Sequence, residues 1–240
     1  MPKLKAMPIN TGGKMQFRTA QIGDEKAIQR LKECVWPDET TRSERIRSVL
    51  NDPQHHTTAA VVDEDTVGFV DSFLTVSATG ILRWEVDLLA VHPEYRRQGI
   101  ATRLIERSIQ TGLERGAELA RGLVQVDNTS SQRAFARNAF TTDGIVCHLY
   151  VAFSSVAQPS VQPSAQLHIV DVNTMNYAGI WLEDCYLPEA FVAAIERLAH
   201  NKVDVAGAVI PSNEPGTIEA AWNAGFEFIG HYHWWQRKLK

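Results

Sequence analysis

The residues best suited to chemistry lie in one short stretch, His92-Pro93-Glu94-Tyr95-Arg96-Arg97-Gln98-Gly99-Ile100-Ala101-Thr102. Upstream, Ile81 to Val91 reads as a strand. Downstream, Ile100, Leu104, Ile105, Ile109 and Leu113 recur at helical spacing until Gly116. A chain that turns from strand into helix leaves backbone N–H groups unpaired, and these, with the helix dipole, attract anions. Gly99 and Ala101 are small enough for a phosphate to approach the backbone, and Arg96 and Arg97 add positive charge. The stretch reads as a pyrophosphate cradle; an ordinary capped helix with surface arginines is the competing reading. On the preceding strand, alternation places Glu85, Asp87, Leu89 and Val91 on one face, so two carboxylates accompany the turn.

The run Leu89-Ala-Val-His-Pro-Glu-Tyr-Arg-Arg-Gln-Gly-Ile-Ala101 resembles the central motif of the GCN5-related N-acetyltransferases (GNAT), Gln/Arg-x-x-Gly-x-Gly/Ala, with Arg96, Gly99 and Ala101 at the defining positions. The family's downstream pattern, an Asn followed by a helix carrying Tyr-x-x-x-Gly-Phe, is met by Asn128, by Arg137 at a common basic position and by Phe140. Phe135 stands where Tyr is usual and Ala139 where Gly is usual.

This resemblance implies acetyl-coenzyme A as cosubstrate and acetyl transfer to a primary amine, whether small molecule or peptide. The amides of Arg96, Arg97, Gln98, Gly99, Ile100 and Ala101, with the Thr102 hydroxyl, would hold the pyrophosphate, and Asn128 and Arg137 complete the cofactor set. Leu89 and Val91 would pair with the pantetheine arm, the Leu89 amide polarising the thioester carbonyl. Glu85 falls where family members often carry a catalytic glutamate, and Asp87 is the other candidate for the base that takes the amine's proton. Phe135 has no proton for the departing thiolate, which keeps open an alternative: a non-catalytic acyl-coenzyme A-binding or regulatory module.

The elements that must position these residues follow from pattern. Met15 to Thr19 reads as a strand. One helix after Gly23-Asp24 carries Ala27, Ile28, Leu31 and Val35, and a second, capped by Thr41, carries Ile46, Val49 and Leu50. Three strands follow (57–62, 66–76 and 81–91), then the cradle and its helix, a strand over 119–126, a helix over 130–138 and a β run over 144–153. The expected fold is mixed α/β (α+β), a largely antiparallel sheet flanked by helices, spanning 15–154 behind a disordered leader, 1–14. Residues 155–165 are rich in Ser, Gln and Pro and read as a linker.

Residues 166–240 then repeat part of the pattern. Gly122-Leu-Val-Gln-Val-Asp-Asn128 resembles Gly207-Ala-Val-Ile-Pro-Ser-Asn213, each followed by a short helix, a phenylalanine (Phe140 or Phe226) and a glycine (Gly144 or Gly230). A strand over 180–186 and a helix over 188–200 precede the second copy. At the place of the cradle it has Pro188 to Ala194, with no glycine and no arginine. It reads as a degenerate C-terminal half-domain that binds no cofactor and leans on the first sheet.

Composition excludes several classes. An apolar share of 44%, a charged share of 22% and a net charge of −4 describe an ordinary globular chain and give no electrostatic footprint for nucleic acid. Cys34, Cys147 and Cys185 are scattered, no metal-ligand spacing occurs, and no apolar run reaches membrane-spanning length. A cytoplasmic enzyme, with a homodimer as one possible assembly, is the expectation. His55 and His56 are read as turn residues, the acidic loop Trp36 to Glu39 as solvated, and the aromatic run His231 to Trp235 as a half-buried strand.

Overall fold

The computed structural model describes residues 14–40, 42–153, 168–183, 187–201 and 203–240. Thr41, the 155–165 linker and Cys185 lie outside them, as does the leader up to residue 13. The strands are β1 (Gln16–Thr19), β2 (His55–Val62), β3 (Asp65–Val76), β4 (Leu82–Val91), β5 (Leu119–Gln125), β6 (Cys147–Phe153), β7 (His168–Asn173), β8 (Ala178–Glu183), β9 (Val205–Pro211) and β10 (Glu227–Lys238). The helices are α1 (Glu25–Val35), α2 (Ser43–Leu50), α3 (Ile100–Glu114), α4 (Thr129–Arg137), α5 (Pro188–Asn201) and α6 (Pro215–Asn223). The fold is mixed α/β with a largely antiparallel sheet, as the pattern predicts. The spacing did not reveal β7, whose short His-Ile-Val-Asp-Val-Asn lacks strict alternation.

Among the described residues all ten strands join one sheet in the order β1-β2-β3-β4-β5-β10-β6-β9-β8-β7. Its two halves mirror each other. β3 and β4 are antiparallel, as are β7 and β8; β4 runs parallel to β5, as β8 does to β9. Each half's last strand lies beside the other half's sheet. β10 pairs with β5 from Tyr232↔Gln125 to Lys238↔Leu119, and β6 pairs with β9 from Cys147↔Pro211 to Phe153↔Val205. β6 and β10 also pair with each other. The aromatic run of β10 thus completes the first half's sheet.

Core packing follows the apolar stripes. Ile100, Leu104, Ile105 and Ile109 of α3 bury against Trp84, Val86 and Val70 on one face. On the other face, Ile28, Leu31, Ile46 and Val49 of α1 and α2 pack against Phe69, Ala90 and Met175. Met175 comes from the turn between β7 and β8. That hairpin lies across this second face: Phe73 of β3 meets Trp181 of β8 with ring centroids 5.7 Å apart, and the His168 imidazole lies 3.0 Å from the Val76 carbonyl.

Two repeat features differ from the sequence match. Gly144 lies in the loop before β6, whereas Gly230 lies inside β10 beside a register shift, so these glycines are not structural equivalents. Gly122 and Gly207 do occupy matching strands, but only Gly122 is tightly constrained. A Cβ there would fall 2.6 Å from the Phe135 ring and 2.9 Å from the Val86 carbonyl oxygen.

Candidate active site

The site begins where β4 and β5 part. Their parallel ladder runs Arg83↔Leu119, Trp84↔Ala120, Glu85↔Arg121 and goes no further, although β4 continues to Val91 and β5 to Gln125. The strands splay into a V whose arms are held by β3 on one side and β10 on the other. On the β4 arm, the His92 N–H bonds the Val67 carbonyl at 2.8 Å. Antiparallel bonding alternates, so the pairs Val91↔Gly68 and Leu89↔Val70 are non-hydrogen-bonded and turn their amides away from β3 into the opening. The Val91 carbonyl accepts from Arg96 Nε at 3.1 Å.

The cradle follows. Pro93–Tyr95 forms one 3-10 turn, closed by Tyr95 N–H to His92 and Arg96 N–H to Pro93. Turn bonding resumes with the Arg103 N–H on the Gly99 carbonyl. The Ile100, Ala101 and Thr102 amides open the helix and have no carbonyl four residues back within it. Gly99 begins the helix at φ +77°, a conformation natural to glycine, and Arg97 adopts φ +64°, where a side chain is strained. Strain of this kind gathers at ligand-binding turns.

A cleft of about 770 Å³ runs from this turn along α4. Leu89, Val91, Arg96, Arg97, Gly99, Ile100, Ala101, Thr102, Asn128 and Arg137 all line it; Gln98 does not. Tyr95, Ser130, Ser131 and Arg133 line it as well, and so do Val35 and Trp36 at the end of α1. Sequence reading did not place these in the site, and it took the loop that begins at Trp36 as solvated. Arg133 was findable, because it lies one helical turn before Arg137. Asn128 caps α4, its Oδ1 accepting from the Ser131 N–H at 3.1 Å. With Arg96, Arg97, Arg133 and Arg137 the walls are cationic, and with unpaired amides at one end they suit a polyanion.

The carboxylates separate. β3 and β4 shift register between Val70↔Leu89 and Ser72↔Val86, placing an extra β4 residue in a bulge at Asp87-Leu88. A bulge reverses alternation, so Trp84 and Val86 share their face with Leu89 and Val91, while Leu88 and Ala90 face α1 and α2. The expectation that Glu85 shares a face with Leu89 and Val91 is therefore corrected. Glu85 is buried, and both its oxygens meet Arg121 Nε, at 2.9 and 2.8 Å. Thr75 also donates to it, and Arg83 lies 3.4 Å away. Glu183 of β8 completes this network by bridging Arg121 and Arg83, 2.7 Å from the latter.

Asp87 is different. It keeps exposed area at the bulge, yet walls of protein crowd it. Burial pushes its carboxyl up to about 7, the Asp71 charge adds to this, and His55 and Lys32 oppose it. Neither Asp87 nor Glu85 lines the cleft itself.

Phe135 is buried between Gly122, Phe140 and Trp235, with ring centroids 4.9 Å from Phe140 and 6.5 Å from Trp235. Nothing at its ring can supply a proton. His55 and His56 lie in β2 rather than in a turn, because the turn from α2 already ends at Gln54. Among the described residues no cluster of His, Cys, Asp and Glu could hold a metal ion, and no helix is long and apolar enough to cross a membrane.

Comparison with known proteins identifies the domain that holds the cleft. Residues 25–140 match the model of the Acetyltransferase (GNAT) family. This chain carries a GNAT acetyltransferase domain. A GCN5-related N-acetyltransferase from Sphaerobacter thermophilus is similar in structure over 94% of this chain and 96% of its own, with TM-score 0.60 and 10% identity. A glucosamine N-acetyltransferase region of a fungal multi-domain GH3 β-N-acetylglucosaminidase aligns with 94% of this chain and 38% of its own, with TM-score 0.62 and 12% identity. Arabidopsis thaliana NAA60 in complex with acetyl-CoA aligns with 56% of this chain and 88% of its own, at TM-score 0.51 and 20% identity. A search of curated protein sequences returns no match. The GNAT fold is thus matched across both halves, including the part beyond residue 140.

Proposed function

We propose that this protein is an N-acetyltransferase that moves an acetyl group from acetyl-coenzyme A to a primary amine. The observation that carries the reading is the cleft: an opened β4 edge leading to unpaired amides at the start of α3, ringed by arginines. The amides from Arg97 to Thr102 hold the pyrophosphate with Arg96, Arg97, Arg133 and Arg137 around it. Leu89 and Val91 pair with the pantetheine arm, and the Leu89 N–H donates to the thioester oxygen.

In this reading the base is Asp87 rather than Glu85. Both Glu85 oxygens are already taken up by Arg121 inside a buried network, so neither is free to meet an amine. The Asp87 carboxyl is pushed up to about 7 and remains accessible, which suits a group that must take a proton near neutral pH. It removes one proton from the amine as nitrogen attacks the carbonyl carbon. The C–S bond then breaks, and the thiolate takes its proton from water, since Phe135 has none to give.

Within the same reading, residues 166–240 support the site without a cofactor of their own. The groove between α5 and α6, lined by Pro188, Gly216, Glu219 and Asn223, matches the cofactor cleft in position. It carries Glu219 and no arginine, so it repels a polyanion.

Thiol release from acetyl-coenzyme A across a panel of amines tests the function. Amine-dependent release is expected, and Gly99→Glu, which sets bulk and negative charge on the cradle, should abolish both binding and release. The buried Phe135 favours one other reading, an acyl-coenzyme A-binding module without catalysis. Tight binding with no release for any amine would establish that instead.

A further inference from the structure

The mechanism assigns nothing to the turn between β7 and β8, yet this piece of the second half grips both helices beside the cleft. Asn173, at the end of β7, accepts from the Arg45 guanidinium of α2 at 3.0 Å and donates to Asp52, just past α2, at 3.2 Å. Met175 buries among Ile28 and Leu31 of α1 and Ile46 and Val49 of α2. Asn176 accepts a hydrogen bond from Lys32 Nζ of α1, and its amide nitrogen lies 3.5 Å from a Glu39 oxygen in the loop after α1. The turn is itself fixed: Thr174 Oγ1 accepts from the Asn176 and Tyr177 N–H groups, each at 3.1 Å.

Lys32 links this turn to the cleft. Only 1% of it is exposed, and a buried ammonium must be held by oxygen. Asn176 brings that oxygen from the other half. The Lys32 ammonium also lies 5.7 Å from the centroid of the Trp36 ring, close enough for cation–π attraction. Trp36 ends α1, with its N–H on the Lys32 carbonyl at 2.7 Å, and lines the cleft together with Leu89 and Val91. Contacts thus run unbroken from Asn176 to Lys32 to Trp36 and the cleft wall.

We propose that Asn176 is a positioning residue: through Lys32 it sets Trp36 as the wall beside the pantetheine arm, an inference that rests on the cleft holding coenzyme A. Without the Asn176 oxygen the ammonium turns outward to find water, since leaving it unpaired inside costs more than losing the ring. Trp36 then loses both the cation over its ring and a fixed last turn of α1. A plain structural role predicts otherwise. If Asn176 merely satisfies Lys32, its removal lowers stability and leaves Trp36 and the cofactor affinity as they were. The inference gives the second half a defined part in the first half's site, beyond completing its sheet.

Fluorine-19 NMR of protein labelled with 5-fluorotryptophan separates the two. Six tryptophans give six signals, and Trp36→Phe identifies the one at the cleft. Coenzyme A should shift that signal in the wild type. Asn176→Ala should move it in the free protein. Calorimetry should show coenzyme A binding to that variant weakened by about tenfold, the usual size of one hydrogen bond to a charged group. Asn176→Asp keeps an oxygen for Lys32 and should restore both the signal and the affinity. Asn176 is exposed, so truncating it opens no cavity and the variants should fold. A Trp36 signal and an affinity unchanged in Asn176→Ala overturn the proposal, as does a fall in affinity that Asn176→Asp does not recover. If the wild type binds coenzyme A without moving the Trp36 signal, the proposal alone fails. If the wild type binds no coenzyme A, the functional reading has failed and the proposal falls with it.

Discussion

At the scale of single residues, the choice between Glu85 and Asp87 turns on what each carboxylate already touches. Glu85 holds Arg121 inside a buried network, so Glu85→Gln should act mainly on stability and leave most of the turnover in the protein that folds. Asp87→Asn should lower kcat by ~10²–10⁴-fold with little change in acetyl-coenzyme A affinity, the usual size of a general-base contribution. Activity should rise with pH through a limb near 7, because the base works only when ionised and its carboxyl is pushed up to about 7. A pH–rate series on both variants checks this. Strand alternation set both carboxylates on the face of Leu89 and Val91, and for Glu85 it fails for a definite reason. A period of two holds only in an unbroken ladder, and the extra residue at Asp87-Leu88 reverses it with no mark in the sequence. The turn from strand to helix, by contrast, was legible as a turn. Gly99 is needed for its φ of +77°, and small residues and arginines in one short turn describe anion binding by type alone.

At the scale of elements, α4 ends in a Schellman motif built around the wrong residue. The Phe140 N–H bonds the Phe135 carbonyl and the Ala139 N–H that of Ala136, while the Phe135 and Phe140 rings pack edge to face. Ala139 sits at φ +59°, a left-handed conformation that is natural to glycine and strained for alanine. The matching turn after α6 keeps glycine, Gly225 at φ +87°, followed by Phe226 bonded to the Ala221 carbonyl. Ala139→Gly should therefore stabilise the protein by roughly 0.5–1 kcal/mol, the relief of strain less the greater freedom glycine has when unfolded. A urea series should show a higher midpoint with an unchanged slope. The helices and central strands were readable because their apolar spacing is long and regular. The placement of His55 inside β2 was not, because its burial depends on Asp71, sixteen residues away in sequence and adjacent only through the β2–β3 pairing.

At the scale of the whole molecule, the halves are bound by exchange of their last strands and by Glu183. The repeat was visible in sequence, and so was the need of the β10 aromatic run for a partner sheet. The insertion of β10 between β5 and β6 was not, since the order of strands is set by long-range pairing and not by local pattern. Glu183 reaches from β8 to Arg83 and Arg121 at the apex of the V. Burial raises its carboxyl, but Arg121 and Arg83 outweigh this and hold it below the ordinary range. Glu183→Ala strands two buried arginines with too little negative charge and should lower stability by ~3–5 kcal/mol. A carboxyl lowered on folding stabilises fully above its unfolded value, about pH 4.3, and loses that contribution as pH falls through the folded value. Wild type and Glu183→Gln should therefore converge in stability as pH drops below about 4, which thermal unfolding at several pH values would read.

The central claim is that one half of this sheet binds acetyl-coenzyme A and the other half only supports it. Calorimetric titration of coenzyme A into the full chain tests that most directly. One site per chain is expected, lost in Gly99→Glu with the fold intact. A second site per chain, or undiminished binding in Gly99→Glu, would contradict the account.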